Sequence, residues 1–546
     1  MLTKITKKYL KIPVRAGLPK QFILFYRDGK LVYDLKAPIC MNGEEPTCTS
    51  YINLERFQGE ALDIVVDPET DLGKFREIAP GTLLNPVAVF PFEFSDTMDA
   101  PDLYKEPWRP RAHFTVPVGH NNDINGFCYY QGKYHIFCQH NPVEPEWGNM
   151  HWYHTVSTDM VHWKKGDDAM FPDERGMVYS GCGFIDEKNS TGLGTEGHPA
   201  MLLIYTAAAC RTRLAPVRNA EQCIAYTLDG KTFTKYEGNP ILPRIGQTYN
   251  RDPKVVWVEE IGKYVMALFL SDGGNYMMLT SPDLIHWEQL TEFRIGDEEE
   301  CPEIYPMWYE GKKYWVLMGI HDKYVLAHFT KDGQLSIDTE PQKLTSGRVS
   351  YASQTCAGMP GNRVVRIAWH VLHIPGPRIS SQFGIPVEMR LEPAGTGLQL
   401  CALPAPEYES LRKDVKIMQN VKVDGTYSLP ARFPCEMQIL ADYDPDGKLK
   451  LEAFGWTAEI DMAQNGMAVT HPTDVVMPLS HDKKLLKLRI FFDAHSVEVF
   501  ADDGRYSLVA SVPCWQAPGD IRITAEKPVV LREIDYYRLE DIWENK

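Results

Sequence analysis

Short apolar runs, mostly alternating with polar positions and separated by Gly, Pro and Asp turns, fill this chain from end to end. That pattern predicts strands rather than helices. Sustained 3.6-residue periodicity is rare, and the best helical candidate is EYESLRKDV (Glu407–Val415), which follows Pro404 and Pro406 and reads as a connector. The middle of the chain carries a weak repeat. Apolar strands recur as GKYHIFCQH (Gly132–His140), AMLLIYTAA (Ala200–Ala208), GKYVMALFL (Gly262–Leu270), KKYWVLMGI (Lys312–Ile320) and RVVRIAWH (Arg363–His370). Their starts lie about 50 to 70 residues apart. Downstream of several comes a polar turn with Asp and usually an aromatic: STDMVHW (Ser157–Trp163), TLDGKTF (Thr227–Phe233), SPDLIHW (Ser281–Trp287) and TKDGQL (Thr330–Leu335). Repeated β units of this length bury their faces only against one another, which predicts a five-bladed β-propeller.

The flanks differ from the middle. FILFYRDGKLVYDL (Phe22–Leu35) and ALDIVVDPE alternate strands with tight turns, and the Pro-rich Pro101–Arg111 segment ends that region. After the connector come KLKLEAFGW, LLKLRIFFD, SVEVFADDG and YSLVASV, with a hairpin at Asp503-Gly504. The expected organisation is all-β: an N-terminal sandwich-like domain over 1–108, the propeller over 109–400, a connector over 401–416 and a C-terminal β-sandwich over 417–546.

Composition narrows the function classes. Lys and Arg number 57 against 73 Asp and Glu, a formal charge of −16. A chain this acidic lacks the basic surface that a nucleic-acid or anionic-membrane partner requires, and a neutral ligand is favoured. No apolar run approaches the ~20 residues of a membrane-spanning helix. The basic N-terminus has no apolar signal-peptide core, so a cytoplasmic location is expected unless a leader was removed. The twelve cysteines are scattered singly without a CxxC pair, which argues against a zinc ribbon or a dense disulfide framework. Seven histidines between His113 and His162 form no HExxH. No metal is expected. Asp493, His495 and Ser496 lie along one strand and point to alternating faces, so they cannot assemble a triad.

Three acidic motifs carry the candidate chemistry: NNDINGF (Asn121–Phe127), YNRDPKV (Tyr249–Val255) and DEEECPEIYP (Asp297–Pro306). Each puts a carboxylate beside turn residues ahead of a buried strand. Alone, an Asp in an Asn-Gly turn is turn chemistry, and a DEEE run is a solvated face. Together, at equivalent positions of successive blades, Asp123, Asp252 and Glu300 would converge on one axis although 129 and 48 residues separate them in the chain. Paired carboxylates serve glycosidic cleavage, one as nucleophile and one as acid. Crowding raises one pKa, keeping the acid protonated while the nucleophile stays ionised. Arg251 is expected to keep neighbouring Asp252 ionised.

At these residues the chain resembles glycoside hydrolase family 32, the invertase, inulinase and levanase family. NDING (Asn122–Gly126), RDP (Arg251–Pro253) and Glu300-Cys301 match its three motifs in order. QHNP (Gln139–Pro142), the Trp147–Trp163 segment, YSGCGFID (Tyr179–Asp186) and SVEVFADDG (Ser496–Gly504) agree as well. The resemblance implies Asp123 as nucleophile, Glu300 as acid/base and Asp252 as transition-state stabiliser. It implies that Asn122, Gln139, Trp147, Tyr179, Ser180 and Arg251 bind the substrate, with Trp147 a flat apolar wall. Ile124 replaces the family's Pro, and Tyr179 and Cys182 alter an FSGS-like stretch. The implied reaction is retaining hydrolysis of β-D-fructofuranosides, releasing terminal fructose from a sucrose, inulin or levan type of substrate without a cofactor. A fructosyltransferase of the same fold differs only in the acceptor and would be told apart by its products. A fructan-binding protein with a dead site is disfavoured by the three retained acids. The first 108 residues resemble an accessory β domain of some bacterial members, expected to shape access without doing chemistry.

Overall fold

The computed structural model describes residues 2–41, 43–67, 92–209, 212–215, 220–246, 249–442, 444, 446–479, 485–517 and 519–543. Strands dominate, and the helical elements among the described residues are short 3-10 turns. No helix there is long and apolar enough to cross a membrane. The all-β reading is borne out.

Among the described residues between 119 and 404, five sheets follow one another, antiparallel except where Ile379–Ser380 pairs parallel to Gly119–Tyr130. Their first strands are Gly119–Tyr130, Met177–Asp186, Asn250–Val258, Glu303–Tyr309 and Ser350–Thr355. Each of these contacts the first strand of the next sheet, and the fifth contacts the first, so the ring closes as in a β-propeller. The repeating apolar segments are the second strands: Lys133–Asn141, Ala200–Ala208, Lys263–Leu270, Lys312–Met318 and Val365–His370. Ala200–Ala208 and Lys263–Leu270 are apolar nearly throughout because both faces are covered by neighbouring sheets.

The downstream Asp turns share one construction. Asp159, Asp229 and Asp283 each accept two backbone N–H bonds from residues two and three ahead, and each is held by the Ser or Thr two residues before it. The carboxylate replaces the partners that a turn leaves missing. The fourth turn departs from this pattern: there Gln334 N donates to the Thr330 hydroxyl at 3.1 Å.

The sheets are stitched around the ring by side chains. Asn125 Oδ1 of the first sheet accepts from Gly181 N of the second at 3.0 Å, and Gln354 Nε2 of the fifth donates to Gly181 O at 2.7 Å. Gln222 Nε2 of the second sheet donates to Asn250 O of the third at 2.9 Å. Glu303 of the fourth sheet takes two bonds from Thr355 of the fifth and pairs with Lys254 of the third at 3.0 Å.

The N-terminal region is a sandwich of a four-stranded and a three-stranded sheet. Its core takes in Val118 and Val143 from the propeller. Asp34 accepts from Thr212 Oγ1 and Arg213 N, and Arg213 pairs with Asp67 at 2.7 Å, so the second sheet is gripped too. The end of ALDIVVDPE lies outside the described residues.

The expected connector over 401–416 is shorter than its sequence suggests. The last strand of the fifth sheet runs to Pro404, a 3-10 helix spans Pro406–Leu411, and Arg412 already opens the strand Arg412–Leu429. The anticipated helix Glu407–Val415 is therefore cut at Leu411, because pairing with Ile521–Leu539 captures the chain from Arg412 onward. The C-terminal sheet curls until Val475–Pro478 contacts Tyr506–Ser511. The Asp503-Gly504 hairpin forms as expected between Ser496–Ala501 and Tyr506–Ser511.

Candidate active site

The acidic motifs do not all precede their strands. Asp123 and Asp252 lie inside Gly119–Tyr130 and Asn250–Val258. At each, three residues of the first strand span two of its partner, between Asn121 and Ile124 and between Arg251 and Lys254. The same slip recurs between Val178 and Gly181 and between Tyr351 and Gln354. One extra residue is a β-bulge, which re-aims the side chains beside it. Thus the bulges of the first, second and third sheets carry Asp123, Tyr179-Ser180 and Asp252.

Backbone conformation adds to this. Asp252, Glu300 and Cys301 have φ of 64°, 54° and 36°, and Ala352 in the fifth sheet has 44°. Each left-handed residue costs of order 1–2 kcal/mol, which the surrounding packing must offset. The cost falls where the carboxylates are aimed.

These elements bring the three acids together. Ser180 Oγ donates to Asp123 Oδ2 at 2.6 Å. Cys301, next to Glu300, reaches both aspartates: its N–H donates to Asp252 Oδ2 at 3.3 Å, and its Sγ lies 3.9 Å from Asp123 Oδ2. Arg251 Nε stands 3.4 Å from Asp252 Oδ2, while its Nη2 makes a very short bond to Glu300 Oε1. Tyr351 OH donates to Glu300 Oε2 at 3.2 Å, and Tyr276 OH to the Glu300 carbonyl at 3.1 Å. Thr206 Oγ1 accepts from Asp252 N at 3.0 Å and donates to Gln222 at 2.8 Å.

The electrostatics differ from the sequence expectation in two ways. Burial pushes the Asp123 carboxyl up to about 7, against the Ser180 bond, with Asp252 and Glu300 adding to the rise. So burial, with crowding added to it, acts on the expected nucleophile, which must lose a proton before it can react. Burial also raises Asp252 to about 6, outweighing Arg251. Arg251 does not hold Asp252 in its ordinary range because burial outweighs its pull and Glu300 adds to the rise; the tighter contact of the guanidinium goes to Glu300.

The remaining candidates take their places around this cluster. Asn122 Nδ2 donates to Gln139 Oε1 at 2.8 Å, both buried. Trp147 and Tyr179 meet edge to face with ring centroids 5.9 Å apart. Among the described residues no group of His, Cys, Asp and Glu could hold a metal ion.

Comparison with known proteins now decides the family. The description "Glycosyl hydrolases family 32 N-terminal domain" matches residues 113–375, and "Glycosyl hydrolases family 32 C terminal" matches 457–524. The chain belongs to glycoside hydrolase family 32. This family 32 hydrolase is 29% identical to a levanase of Bacillus subtilis (strain 168) over 502 residues, 82% of this chain and 72% of that protein. With a levanase of Bacillus sp. (strain L7) the match is 28% and spans half of that protein's length, 50%, and 76% of this chain. With an extracellular exo-inulinase of Aspergillus awamori it is 27% over 75% of this chain and 90% of that protein. The crystal structure of exo-inulinase from Aspergillus awamori superposes with a TM-score of 0.72 at 23% identity, covering 81% of this chain and all (100%) of that one. That likeness supports the propeller and sandwich fold.

Several residues of the site were not visible in the sequence reading. Tyr351 sits on the fifth sheet and Tyr276 on the third strand of the third sheet, and no motif flags them. Thr206 and Gln354 lie in ordinary strand sequence, and Asn125, though inside the first motif, carried no role of its own. The acidic run around Glu300 is not a uniform solvated face: Asp297 and Glu299 are exposed, whereas Glu298 is buried and accepts from His321 N at 2.5 Å. Glu298 is pushed up to about 7, mainly by burial. An alternation of outward and inward acids was the available signal.

Proposed function

We propose that this family 32 hydrolase cleaves β-D-fructofuranosidic bonds with retention of configuration, removing terminal fructose from sucrose or fructans. The convergence of Asp123, Asp252 and Glu300 on one pocket, with Cys301 touching both aspartates, carries the reading. The names of its relatives, levanase and exo-inulinase, agree with the substrate class.

In this reading Asp123 attacks the anomeric carbon of the fructosyl unit while Glu300 protonates the departing oxygen. The bond to the leaving sugar breaks as the ester to Asp123 forms. Water then attacks the ester, giving its proton to Glu300 and releasing fructose. In the state where Glu300 carries the proton, its ion pair with Arg251 is lost, and Asp252 takes the arginine's charge from 3.4 Å away. Asp252 is thereby ionised when positive charge develops on the ring. Ser180, bonded to Asp123, releases that oxygen as the ester forms. Asn122 and Gln139 read sugar hydroxyls, and Trp147 and Tyr179 cover an apolar face. No cofactor takes part.

The deciding experiment is release of reducing sugar from sucrose, inulin and levan, with products followed by chromatography. Fructose accumulating from at least one substrate is expected. No release from any of the three overturns the proposal. Glu300→Ala is expected to slow sucrose far more than a fructoside with a good leaving group, and an equal loss on both removes Glu300 from the acid role.

A further inference from the structure

The N-terminal sandwich grips the segment that carries Trp147. The strand Lys30–Ala37 is the edge of the four-stranded sheet. Its Lys36 peptide, which an edge strand leaves unpaired, is capped by Asn149: Lys36 N donates to Asn149 Oδ1 at 2.8 Å, and Asn149 Nδ2 donates back to Lys36 O at 2.8 Å. The same Nδ2 donates to Asn141 Oδ1 at 3.0 Å, and Asn141 Nδ2 donates to the Glu146 carbonyl at 2.7 Å. Asn149 is buried and left-handed, with φ 45°. Ser50 donates to the Val143 carbonyl, and Lys20 pairs with Glu144 at 2.6 Å and Glu146 at 2.8 Å. Every one of these contacts flanks Trp147, and Trp147 meets Tyr179 across the pocket wall.

A second set of contacts between the same two domains lies away from this segment. Tyr9 OH donates to Asp167 at 2.6 Å, and Lys8 pairs with the same carboxylate at 3.0 Å, on the outermost of the strands that follow Gly119–Tyr130 in the first sheet. Docking alone would need either set. Only the first reaches the pocket.

We propose that the N-terminal sandwich is a positioning part of the pocket: through Asn149, Ser50 and Lys20 it holds the 142–149 segment so that Trp147 stands against Tyr179, and it thereby sets affinity for the bound sugar. The proposal rests on the β-fructofuranosidase reading for its substrate. A wall that touches the sugar equally before and during reaction acts on KM and leaves kcat nearly alone. The accessory domain is then part of the binding site, although the contacts it makes here go to the 142–149 segment and not to the three acids.

The test uses the full chain with Asn149→Ala, Ser50→Ala and, as the docking control, Tyr9→Phe. Asn149→Ala is expected to raise KM for the preferred substrate and the inhibition constant of fructose about tenfold, with kcat within about threefold. Ser50→Ala should move both constants the same way by about threefold. Tyr9→Phe should lower the melting midpoint and leave both constants unmoved. In protein labelled with 5-fluorotryptophan, the Trp147 resonance, assigned with Trp147→Phe, should shift in Asn149→Ala and Ser50→Ala but not in Tyr9→Phe. A folded Ser50→Ala with unchanged KM and an unmoved Trp147 resonance overturns the proposal, whether or not Asn149→Ala folds. So does Tyr9→Phe moving KM as far as Asn149→Ala. Failure of the functional reading looks different: the wild type then cleaves no fructofuranoside, and the Trp147 resonance still reports on the positioning.

Discussion

Two groups of acids withdrawn from water, one at the pocket and one where the propeller meets the C-terminal sandwich, are treated in opposite ways by the same fold. At the junction, His113 is held between Asp493 at 2.7 Å and Glu498 at 2.6 Å. Asp493 also accepts from the backbone N–H groups of Arg111, Ala112 and Ala494. Burial alone would lower His113, but its two carboxylate partners overcome this and raise it to about 9. Burial would likewise raise Asp493 and Glu498, yet their histidine contacts bring both below the ordinary carboxylate range. At the pocket, burial wins: Asp123 and Asp252 rise to about 7 and about 6. The residue types are alike. What differs is the partner: one imidazole bridges both junction acids, whereas Asp123 meets a neutral hydroxyl and Arg251 is divided between Asp252 and Glu300. The junction saturates its acids and gains stability from them, whereas the pocket leaves charge uncompensated and open to a substrate.

The comparison breaks most sharply at Asp123. Asp123→Asn is expected to cut kcat by about three orders of magnitude or more, at least ~4 kcal/mol of barrier. Its melting midpoint should exceed that of the wild type at pH 8. The sign follows from the raised carboxyl: the fold favours protonated Asp123, so ionising it between about pH 4 and 7 costs wild-type stability that Asn never loses. The gap should close near pH 4. A variant keeping more than about a tenth of the activity, ~1.4 kcal/mol, refutes the role.

The junction should respond the other way. His113→Gln leaves two buried carboxylates without their cation and should cost roughly 3–5 kcal/mol of stability, with activity per folded molecule near normal. Since His113 is raised above its unfolded value, its contribution is complete below about pH 6.5 and is lost as pH rises through about 9. Melting curves from pH 6 to 10 should show that loss in the wild type and not in the variant.

Two smaller effects sharpen the pocket side. kcat/KM should fall about tenfold per pH unit below a midpoint near 7, as Asp123 takes up a proton; because Asp123 and Asp252 interact, that midpoint belongs to the pair. Ser180→Ala removes a bond that favours the ionised form, so the midpoint should move up by about one unit. A downward or absent shift would mean that the Ser180 hydroxyl does not stabilise the Asp123 charge.

Much of this was legible in the chain. The apolar segments that recur between Gly132 and His370 became the second strand of each sheet, since a strand covered on both faces buries its side chains in both directions. The turns at Asp159, Asp229 and Asp283 were readable because a Ser or Thr two residues before an Asp is a local device. Asp123, Asp252 and Glu300 could be singled out by their motifs. Tyr351, Thr206 and Gln354 could not, because a single Tyr, Thr or Gln in a strand has many ordinary uses.

Periodicity, turn chemistry and the three ordered motifs belong to the sequence by itself, because each depends on residues only a few positions apart. The tertiary structure alone decided where charge would rest. Asp123 sits inside a strand rather than before one because a bulge, defined only against the partner strand Lys133–Asn141, turns it into the pocket. Arg251, adjacent to Asp252 in the chain, gives its tighter contact to Glu300 because ring closure brings the fourth sheet beside the third. Likewise, the acidic run that reads as solvated becomes half buried once the 319–322 turn folds over Glu298. Burial and charge pairing depend on which distant segments arrive at one place, and adjacency along the chain carries no record of that.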